Sequence, residues 1–145
     1  MAQFSMDFHD IENIEKIAIP ECLNKDDTFL EMVEAGQEIM LDSIKKSANN
    51  HRKTGNMANS IKATKAVIDK NGDAVGRVKF VGSDGTKKLK NGQSFDLTNW
   101  IKAFRIEYGT SRQTAMPFVS PAIISAESQI RQAIQKKFEE KLKNG

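Results

Sequence analysis

Two prolines near position 120 fix the start of a long C-terminal helix. Pro117 and Pro121 restrict the backbone where the segment Met116–Ala122 must enter a helix in one direction. Apolar residues then recur at helical spacing along one stripe: Val119, Ile123, Ala126, Ile130, Ile134, Phe138 and Leu142. The sequence therefore predicts an amphipathic helix that must bury one face against the rest of the chain.

A second long helix is predicted in the N-terminal half. Thr28 and Glu31 match a capping box, in which a hydroxyl and a carboxylate satisfy free N–H groups at a helix start. The expected apolar face consists of Phe29, Val33, Gly36, Met40 and Ile44, and Asn49-Asn50 is expected to end the helix. A glycine inside a helix costs about 1 kcal/mol relative to alanine. Another backbone is therefore expected to pass close to Gly36.

The clearest β pattern lies between these two helices. Residues Thr54–Ile61 predict a short capped helix or turn, which leads into a strand at Ile61–Ile68. Asn71-Gly72 suits a type I′ turn, whose two central residues need positive φ. Ala74–Val81 is then the partner strand of a hairpin, with two basic side chains facing water: Arg77 and Lys79.

The pattern between the hairpin and the C-terminal helix is less regular. Gly82–Ser94 is basic and glycine-rich without a clear period, which predicts a mobile or partner-ordered loop. Leu97–Phe104 fits a short helix, after which Phe104, Ile106 and Tyr108 alternate like a strand. The order of elements predicts an α+β fold: an antiparallel β-sheet with the two long helices packed on it, mainly on one face.

Composition limits the class of protein. The 145 residues predict one domain at 28–145, preceded by an N-terminal arm at 1–27. Cys22 is the only cysteine, so the chain cannot form an internal disulfide, and a reducing cytoplasm is expected. No apolar run approaches the ~20 residues of a membrane span, and the first residues lack the pattern of a signal peptide.

Charge is distributed unevenly along the chain. Residues 1–43 carry eleven acidic and two basic side chains, a net charge of −9. Residues 44–145 carry twenty basic and eight acidic side chains, a net charge of +12. This segregation predicts either an acidic surface that docks on a basic one or two faces for different partners.

The sequence contains no recognisable catalytic motif. His9 and His51 have no second ligand at metal-binding spacing, and neither a phosphate-binding glycine loop nor a nucleophile elbow occurs. Glu107 could serve as a general base, but capping of the following turn, or an ion pair with Arg105 or Arg112, is the expected role. We therefore expect no enzymatic activity, no metal and no cofactor.

Basic clusters leave nucleic-acid binding as an alternative function. One cluster runs from Lys45 to Lys65 without an acidic residue, and a second consists of Lys87, Lys88 and Lys90. Such clusters can neutralise phosphates with a strongly salt-dependent affinity. The recognition elements of known nucleic-acid-binding folds are not visible, and a solvated basic face is the other interpretation of these clusters.

Three motifs in a fixed order give the chain a family resemblance. They are Thr54-Gly55-x-Met57-x-x-Ser60-Ile61, Phe104-x-Ile106-Glu107-Tyr108-Gly109-Thr110 and Ala115-Met116-Pro117-Phe118-x-x-Pro121-Ala122. From about Thr28 to Leu142 the chain resembles the tail-completion (head–tail joining, minor-tail) proteins of long-tailed bacteriophages and prophages. It departs from their pattern at Met57, where leucine is commoner, and at Met116, where a basic or polar residue is often found.

The resemblance implies a structural protein of the virion neck or tail end, with a tail-terminator-like fold and without catalysis or a cofactor. The implied partners are further copies of the chain in a ring, expected to be hexameric, and other phage neck and tail proteins, with non-specific DNA contact and no membrane. The implied location is the virion, reached from the host bacterial cytoplasm.

The resemblance also implies two groups of site residues. The candidate assembly interface comprises Glu107, Tyr108, Gly109, Thr110, Arg112, Pro117 and Phe118. The Glu107–Arg112 turn and the Pro117–Pro121 corner can each be a contact surface or part of the fold scaffold, and the scaffold role is favoured for Phe118 and the two prolines. The candidate lumen-facing or DNA-facing loop carries Lys87, Lys88 and Lys90.

Overall fold

Two long antiparallel helices form the framework of the computed structural model, which describes residues 3–5, 25–51 and 55–144. Helix α1 spans Lys25–Asn49. The last helix, α4 in chain order, spans Val119–Asn144. Ser47 Oγ donates to the Phe118 carbonyl at 2.8 Å, and Lys141 Nζ donates to Glu31 Oε1 at 2.6 Å. These contacts join the end of each helix to the start of the other.

The predicted stripes of both helices are confirmed. Their central members are buried and their outer members are partly buried against them. Most of the buried members lie in one core, but Val33 belongs to a second, smaller cluster with Ala66 and Ala74. The predicted capping box is wrong, because α1 begins three residues earlier, at Lys25, and Thr28 is buried inside the helix. Asp26 and Asp27 instead place negative charge in the first turn, where the helix dipole favours it. The predicted boundary between arm and domain, at residues 27 and 28, falls inside this helix.

Gly36 lies in close contact with α4, through side chains of that helix rather than through its backbone. A Cβ atom added there would lie 3.2 Å from Ile130 Cγ2 and 3.2 Å from Ile134 Cδ1. This spacing is tight but falls on side chains that can shift slightly. The glycine therefore lowers the helix propensity of α1 but permits the two helices to pack closely.

We expect Gly36→Ala to change the free energy of unfolding by less than about 1 kcal/mol, because the gain in helix propensity offsets the crowding. Ala35→Gly, one residue earlier, is the reference for propensity in the same helix. Urea denaturation of both variants measures the two effects. A stabilisation by Gly36→Ala as large as the loss in Ala35→Gly would contradict the tight contact.

The main sheet is organised around its longest strand. After the short helix α2 (Asn56–Asn59), the strands are β2 (Ile61–Ala63), β3 (Val67–Ile68) and β4 (Ala74–Phe80). One edge of β4 pairs antiparallel with β2 and β3, and the other edge pairs with the N-terminal strand β1 (Gln3–Ser5). The remainder of the predicted N-terminal arm, at residues 1–2 and 6–24, lies outside the described residues.

The predicted hairpin is confirmed, but its first strand and its turn differ from the prediction. The single strand expected at Ile61–Ile68 is interrupted between β2 and β3. The turn is not type I′, because no described residue other than glycine has positive φ. Asp69 N–H donates to the Asp73 carbonyl at 2.8 Å, and Gly72 N–H donates to the Asp69 carbonyl at 3.2 Å. With Gly72 at φ +86°, this is a type I turn followed by a left-handed glycine.

A side chain from α1 supports the interruption between β2 and β3. Gln37 is 2% exposed. Its Nε2 donates to the Thr64 carbonyl at 3.1 Å and to the Arg77 carbonyl at 3.2 Å. The amide rests directly over Gly76, where an added Cβ would lie 2.3 Å from Gln37 Cδ. The close approach explains why β4 carries a glycine in its buried interior.

The region predicted as a structureless loop is a second hairpin. Strands β5 (Ser83–Lys88) and β6 (Ser94–Thr98) pair antiparallel as a separate two-stranded sheet. Their turn repeats the first one, since Gly92 has φ +83° and Leu89 N–H donates to the Gln93 carbonyl at 2.7 Å. The loop prediction was wrong because it relied on the missing apolar period and left out the turn signal of Asn91-Gly92.

The predicted change from helix to strand at Phe104 is also wrong. Helix α3 continues from Asn99 to Tyr108. Thr98 caps it, accepting at Oγ1 from the Ile101 N–H at 3.2 Å, and Gly109 ends it. Phe104 and Tyr108 are four residues apart, so they continue a helical row as readily as they alternate along a strand.

Candidate assembly surface

Helix α3 has two unlike faces. Its buried face carries Asn99, Ala103 and Glu107 at steps of four. A neighbouring row, also at steps of four, leaves three aromatic rings open to solvent, with exposed fractions of 39% for Trp100, 46% for Phe104 and 68% for Tyr108. We call these three residues the aromatic ladder.

The rings of the aromatic ladder are in contact with one another. The ring centroids of Trp100 and Phe104 lie 5.4 Å apart, and those of Phe104 and Tyr108 lie 4.8 Å apart. Both spacings are in the range of direct aromatic pairs. With about 200 Å² for each whole side chain, the exposed fractions correspond to roughly 300 Å² of aromatic surface. A continuous patch of this size on a single subunit is often functional.

Glu107 anchors the helix that carries the ladder. The side chain is 7% exposed. Its Oε2 accepts from the N–H groups of Phe118 at 2.7 Å and Val119 at 2.9 Å. Its Oε1 accepts from Ser120 N–H at 3.0 Å and from Ser120 Oγ at 2.5 Å. One carboxylate therefore caps the start of α4 from the last turn of α3.

The environment of Glu107 favours its charged form. Burial by itself would raise the pKa of this carboxyl group. The hydrogen bonds from the Ser120 hydroxyl and from the N–H groups of Val119, Phe118 and Ser120 outweigh burial and lower the pKa below its ordinary value of 4.5. A carboxylate whose pKa is lowered and whose oxygens are occupied in this way is suited to capping rather than to accepting a proton in catalysis.

The loop between α3 and α4 holds a tight turn beside the ladder. Gly109 has φ +75°, and an added Cβ would lie 2.7 Å from the backbone nitrogen of Ala115. Thr110 N–H donates to the Gln113 carbonyl at 2.8 Å, which closes the turn. Met116 N–H then donates to the Ile106 carbonyl at 2.8 Å and returns the chain to α3. The glycine is needed here both for its φ and for its lack of a side chain.

The seven residues of the predicted assembly interface differ in their exposure to solvent. Glu107 and Phe118 are buried, and Phe118 packs in the core with its ring centroid 5.4 Å from that of His51 and 6.1 Å from that of Phe80. The burial of Glu107 and Phe118 favours the scaffold alternative, and an interface role for these residues stays a prediction. Gly109 is half buried, whereas four members are exposed: Tyr108, Thr110, Arg112 and Pro117.

The second predicted group lies at the tip of the β5–β6 hairpin. Lys87, Lys88 and Lys90 are all exposed. Leu97 is buried near the base of the hairpin, and the Arg105 guanidinium of α3 lies 6.0 Å from the centre of the Phe95 ring, which is opposite Lys87. The three lysines lie at the exposed end of this hairpin, and a DNA-facing role for them stays a prediction.

A polar cleft of about 370 Å³ lies at the opposite end of the helix pair, lined in part by Glu31, Glu34, Lys65 and Lys141. The hydrogen bond from Lys141 lowers the pKa of Glu31 against the opposing effect of burial, and the positive charges of Lys141 and Lys137 lower it further.

Across the described residues, no three His, Cys, Asp or Glu side chains are grouped so that they could hold a metal ion. Nor does any helix in this part of the chain have the length and apolar character needed to cross a membrane.

Trp100 and Phe104 were not predicted as surface residues, because the segment Leu97–Phe104 was assigned to a short helix without an exposed face. The signal that could have found them is the second row at steps of four on the same ten-residue helix, which cannot bury both rows. No protein-family model, curated protein or solved structure matches the chain. The described residues form an α+β domain in which helix α3 exposes the aromatic ladder and Glu107 holds the last turn of that helix.

Proposed function

We propose that the chain is a virion structural protein of a tailed phage or prophage. It acts in tail completion, or head–tail joining, by assembling with further copies of itself into a ring, which is hexameric by analogy with the proteins it resembles. The proposal rests on the three ordered motifs and on the α+β fold. In this function the protein works by binding neighbours and carries out no reaction.

The observation that carries the proposal is the link between two of the motifs. The Glu-Tyr-Gly-Thr segment and the Met-Pro-Phe segment are joined through Glu107, whose carboxylate accepts from the N–H groups of Phe118 and Val119. Glu107 thereby ties the last turn of α3, which carries the exposed Tyr108, to the start of α4. A rigid and exposed aromatic row is the kind of surface that protein assembly uses, because little conformational entropy is lost when it binds.

The function is tested by deleting the gene from the phage or prophage that encodes it. We expect lysates with filled heads and separate tails that fail to join, as seen by electron microscopy, and restoration of joined particles by the gene supplied in trans. Labelled antibody should bind the neck or the tail end of restored particles. Normal infectious particles from the deletion would contradict the proposal.

The exposed lysines of the β5–β6 hairpin favour nucleic-acid binding as the second candidate function. Replacing Lys87, Lys88 and Lys90 together by Gln should reduce binding to duplex DNA and reduce its dependence on salt, by a slope of about 0.9 for each lost phosphate contact. Replacing the exposed Lys70, Lys136 and Lys143 by Gln is the control with the same loss of charge. Fluorescence anisotropy over a salt series measures both variants.

The sequence dependence of that binding separates the two functions. Weak binding that ignores DNA sequence fits a ring subunit through which DNA passes. Tight binding that prefers one sequence by a factor of about 10³ or more would favour a DNA-binding regulator. Equal effects of the two lysine sets would contradict a special role for the hairpin.

A further inference from the structure

We infer that the aromatic ladder is one half of a head-to-tail contact between copies of this chain, and that the other half is the acidic outer face of α1. The inference deepens the proposed function, on which it rests, by naming the two surfaces that meet when subunits assemble. It follows from the packing of the ladder, the charges around it and the position of the complementary face.

The packing of the rings favours a protein occupant over a nucleic acid. Proteins that bind single strands by stacking present rings between or on which successive bases can lie. Here the three rings already contact one another in tilted pairs, with centroids 5.4 Å and 4.8 Å apart and interplanar angles of 33° and 48°. They offer a continuous apolar strip along the helix rather than separate slots for bases.

The size of the ladder requires additional contact around it. A stable interface buries about 800 Å² on each partner, with an apolar centre and a polar rim. The ladder supplies less than half of that area, so the surrounding residues must complete it. Arg105 on the same helix and Arg112 in the following turn are both exposed, and they make this rim positively charged.

The chain itself carries opposite charge on part of the outer face of α1, which ends at the exposed Lys46 one turn after Asp42. Glu38 and Asp42 lie one turn apart on α1, on the side turned away from the buried Met40, and both are exposed. Neither side chain forms an ion pair with another residue in the part of the chain that the structure describes. The half-buried Ala35 and Ile39 lie beside them and offer aliphatic surface to the rings.

The two faces lie on different helices. Helix α3 packs against α2, β4 and β6, and α1 packs against α4, α2 and the strands β2, β3 and β4. When two different faces of identical subunits meet, the contact repeats from copy to copy and closes into a ring if the rotation permits.

The aromatic half of the contact is tested by sedimentation of the purified full chain over a range of concentrations. We expect reversible self-association of the native chain, and we expect Tyr108→Ser to weaken it at least tenfold. Ile124→Ser is the matched control, because Ile124 is 71% exposed on α4 but lies outside the ladder. A native chain that stays monomeric, or association that tolerates Tyr108→Ser as well as the control, overturns the inference.

The pairing of the two faces is tested by charge reversal and by cross-linking. Arg105→Glu and Glu38→Arg should each weaken association, and the doubly reversed chain should recover it, whereas Lys136→Glu should have little effect. In a Cys22→Ser background, a mixture of Arg105→Cys and Glu38→Cys subunits should form disulfide-linked dimers that neither variant forms alone. Linked dimers of Arg105→Cys alone, or none in the mixture, overturn the pairing.

Failure of this inference and failure of the proposed function give different results. Ladder-dependent association together with normal particles from the gene deletion would leave the contact standing and contradict the phage role. A deletion that blocks head–tail joining, together with association that ignores the ladder, would leave the phage role standing and contradict the contact.

Discussion

Replacing Glu107 by Gln should lower the free energy of unfolding by about 3 kcal/mol, because several charge-assisted hydrogen bonds are lost together. The carboxylate accepts from three N–H groups and one hydroxyl at the start of α4. Glutamine keeps one acceptor oxygen, and its NH₂ group faces donors that it cannot satisfy. Urea denaturation followed by circular dichroism measures the loss.

The matched control is Glu140→Gln on the exposed side of α4, which should change stability by no more than about 0.5 kcal/mol. Equal effects of the two substitutions would contradict the capping role of Glu107. A large effect confined to Glu107→Gln would also explain why an acidic residue stands just before the exposed Tyr108. Glu107 holds the last turn of α3 against the start of α4, and Tyr108 is exposed on that turn.

Measuring the stability of the native chain and of Glu107→Gln across pH separates the contribution of Glu107 from the titration of other groups. Because its pKa is lowered in the folded protein, the ionised Glu107 stabilises the fold fully at pH values above its ordinary pKa. That contribution is lost as the pH falls through the lowered folded value. The stability difference between the native chain and Glu107→Gln should therefore be constant near neutral pH and shrink in acid. A difference that grows in acid would contradict the lowered pKa.

Replacing Gly76 by Ala should cost about 2–3 kcal/mol, because the added methyl group overlaps a buried side chain. A Cβ at this position would lie 2.3 Å from Gln37 Cδ and 2.5 Å from Gln37 Nε2. Gly76 has no positive φ, so backbone strain does not contribute. The clash should displace the Gln37 amide from the Thr64 and Arg77 carbonyls, which would lose a hydrogen-bond donor.

A double-mutant cycle tests this explanation. In a Gln37→Ala background the obstruction is gone, so Gly76→Ala should cost at least about 1 kcal/mol less than in the native chain. Gly72→Ala is the control, since Gly72 has φ +86° and nothing near its missing Cβ. Its cost should be the same in both backgrounds. Additive effects of Gly76→Ala and Gln37→Ala would show that the two residues do not interact as described.

The sequence predicted the parts of the fold whose signals are local and repeated. The stripes that begin at Phe29 and at Val119 each repeat over several helical turns, so both long helices could be located and Gly36 could be assigned to a close contact. The hairpin around Asn71-Gly72 also followed from a local signal. The type of its turn did not, because a three-residue loop and a two-residue loop can share the Asn-Gly pair.

The sequence did not predict features that depend on distant partners. The cap on α4 comes from Glu107, eleven residues before Phe118, and no spacing rule for helix caps covers such a distance. Gln37 is polar and buried because it meets carbonyl groups of strands far along the chain. The second hairpin lacks apolar alternation because its two faces are largely exposed. The periodicity that normally reveals a strand was therefore absent.

The aromatic ladder has a practical consequence for spectroscopy. Trp100 is the only tryptophan of the chain, and it stands at one end of the exposed row, in contact with Phe104. Intrinsic indole emission therefore originates at this one surface. In the folded protein, its wavelength and its accessibility to a quencher report whether that surface is covered, without any attached dye.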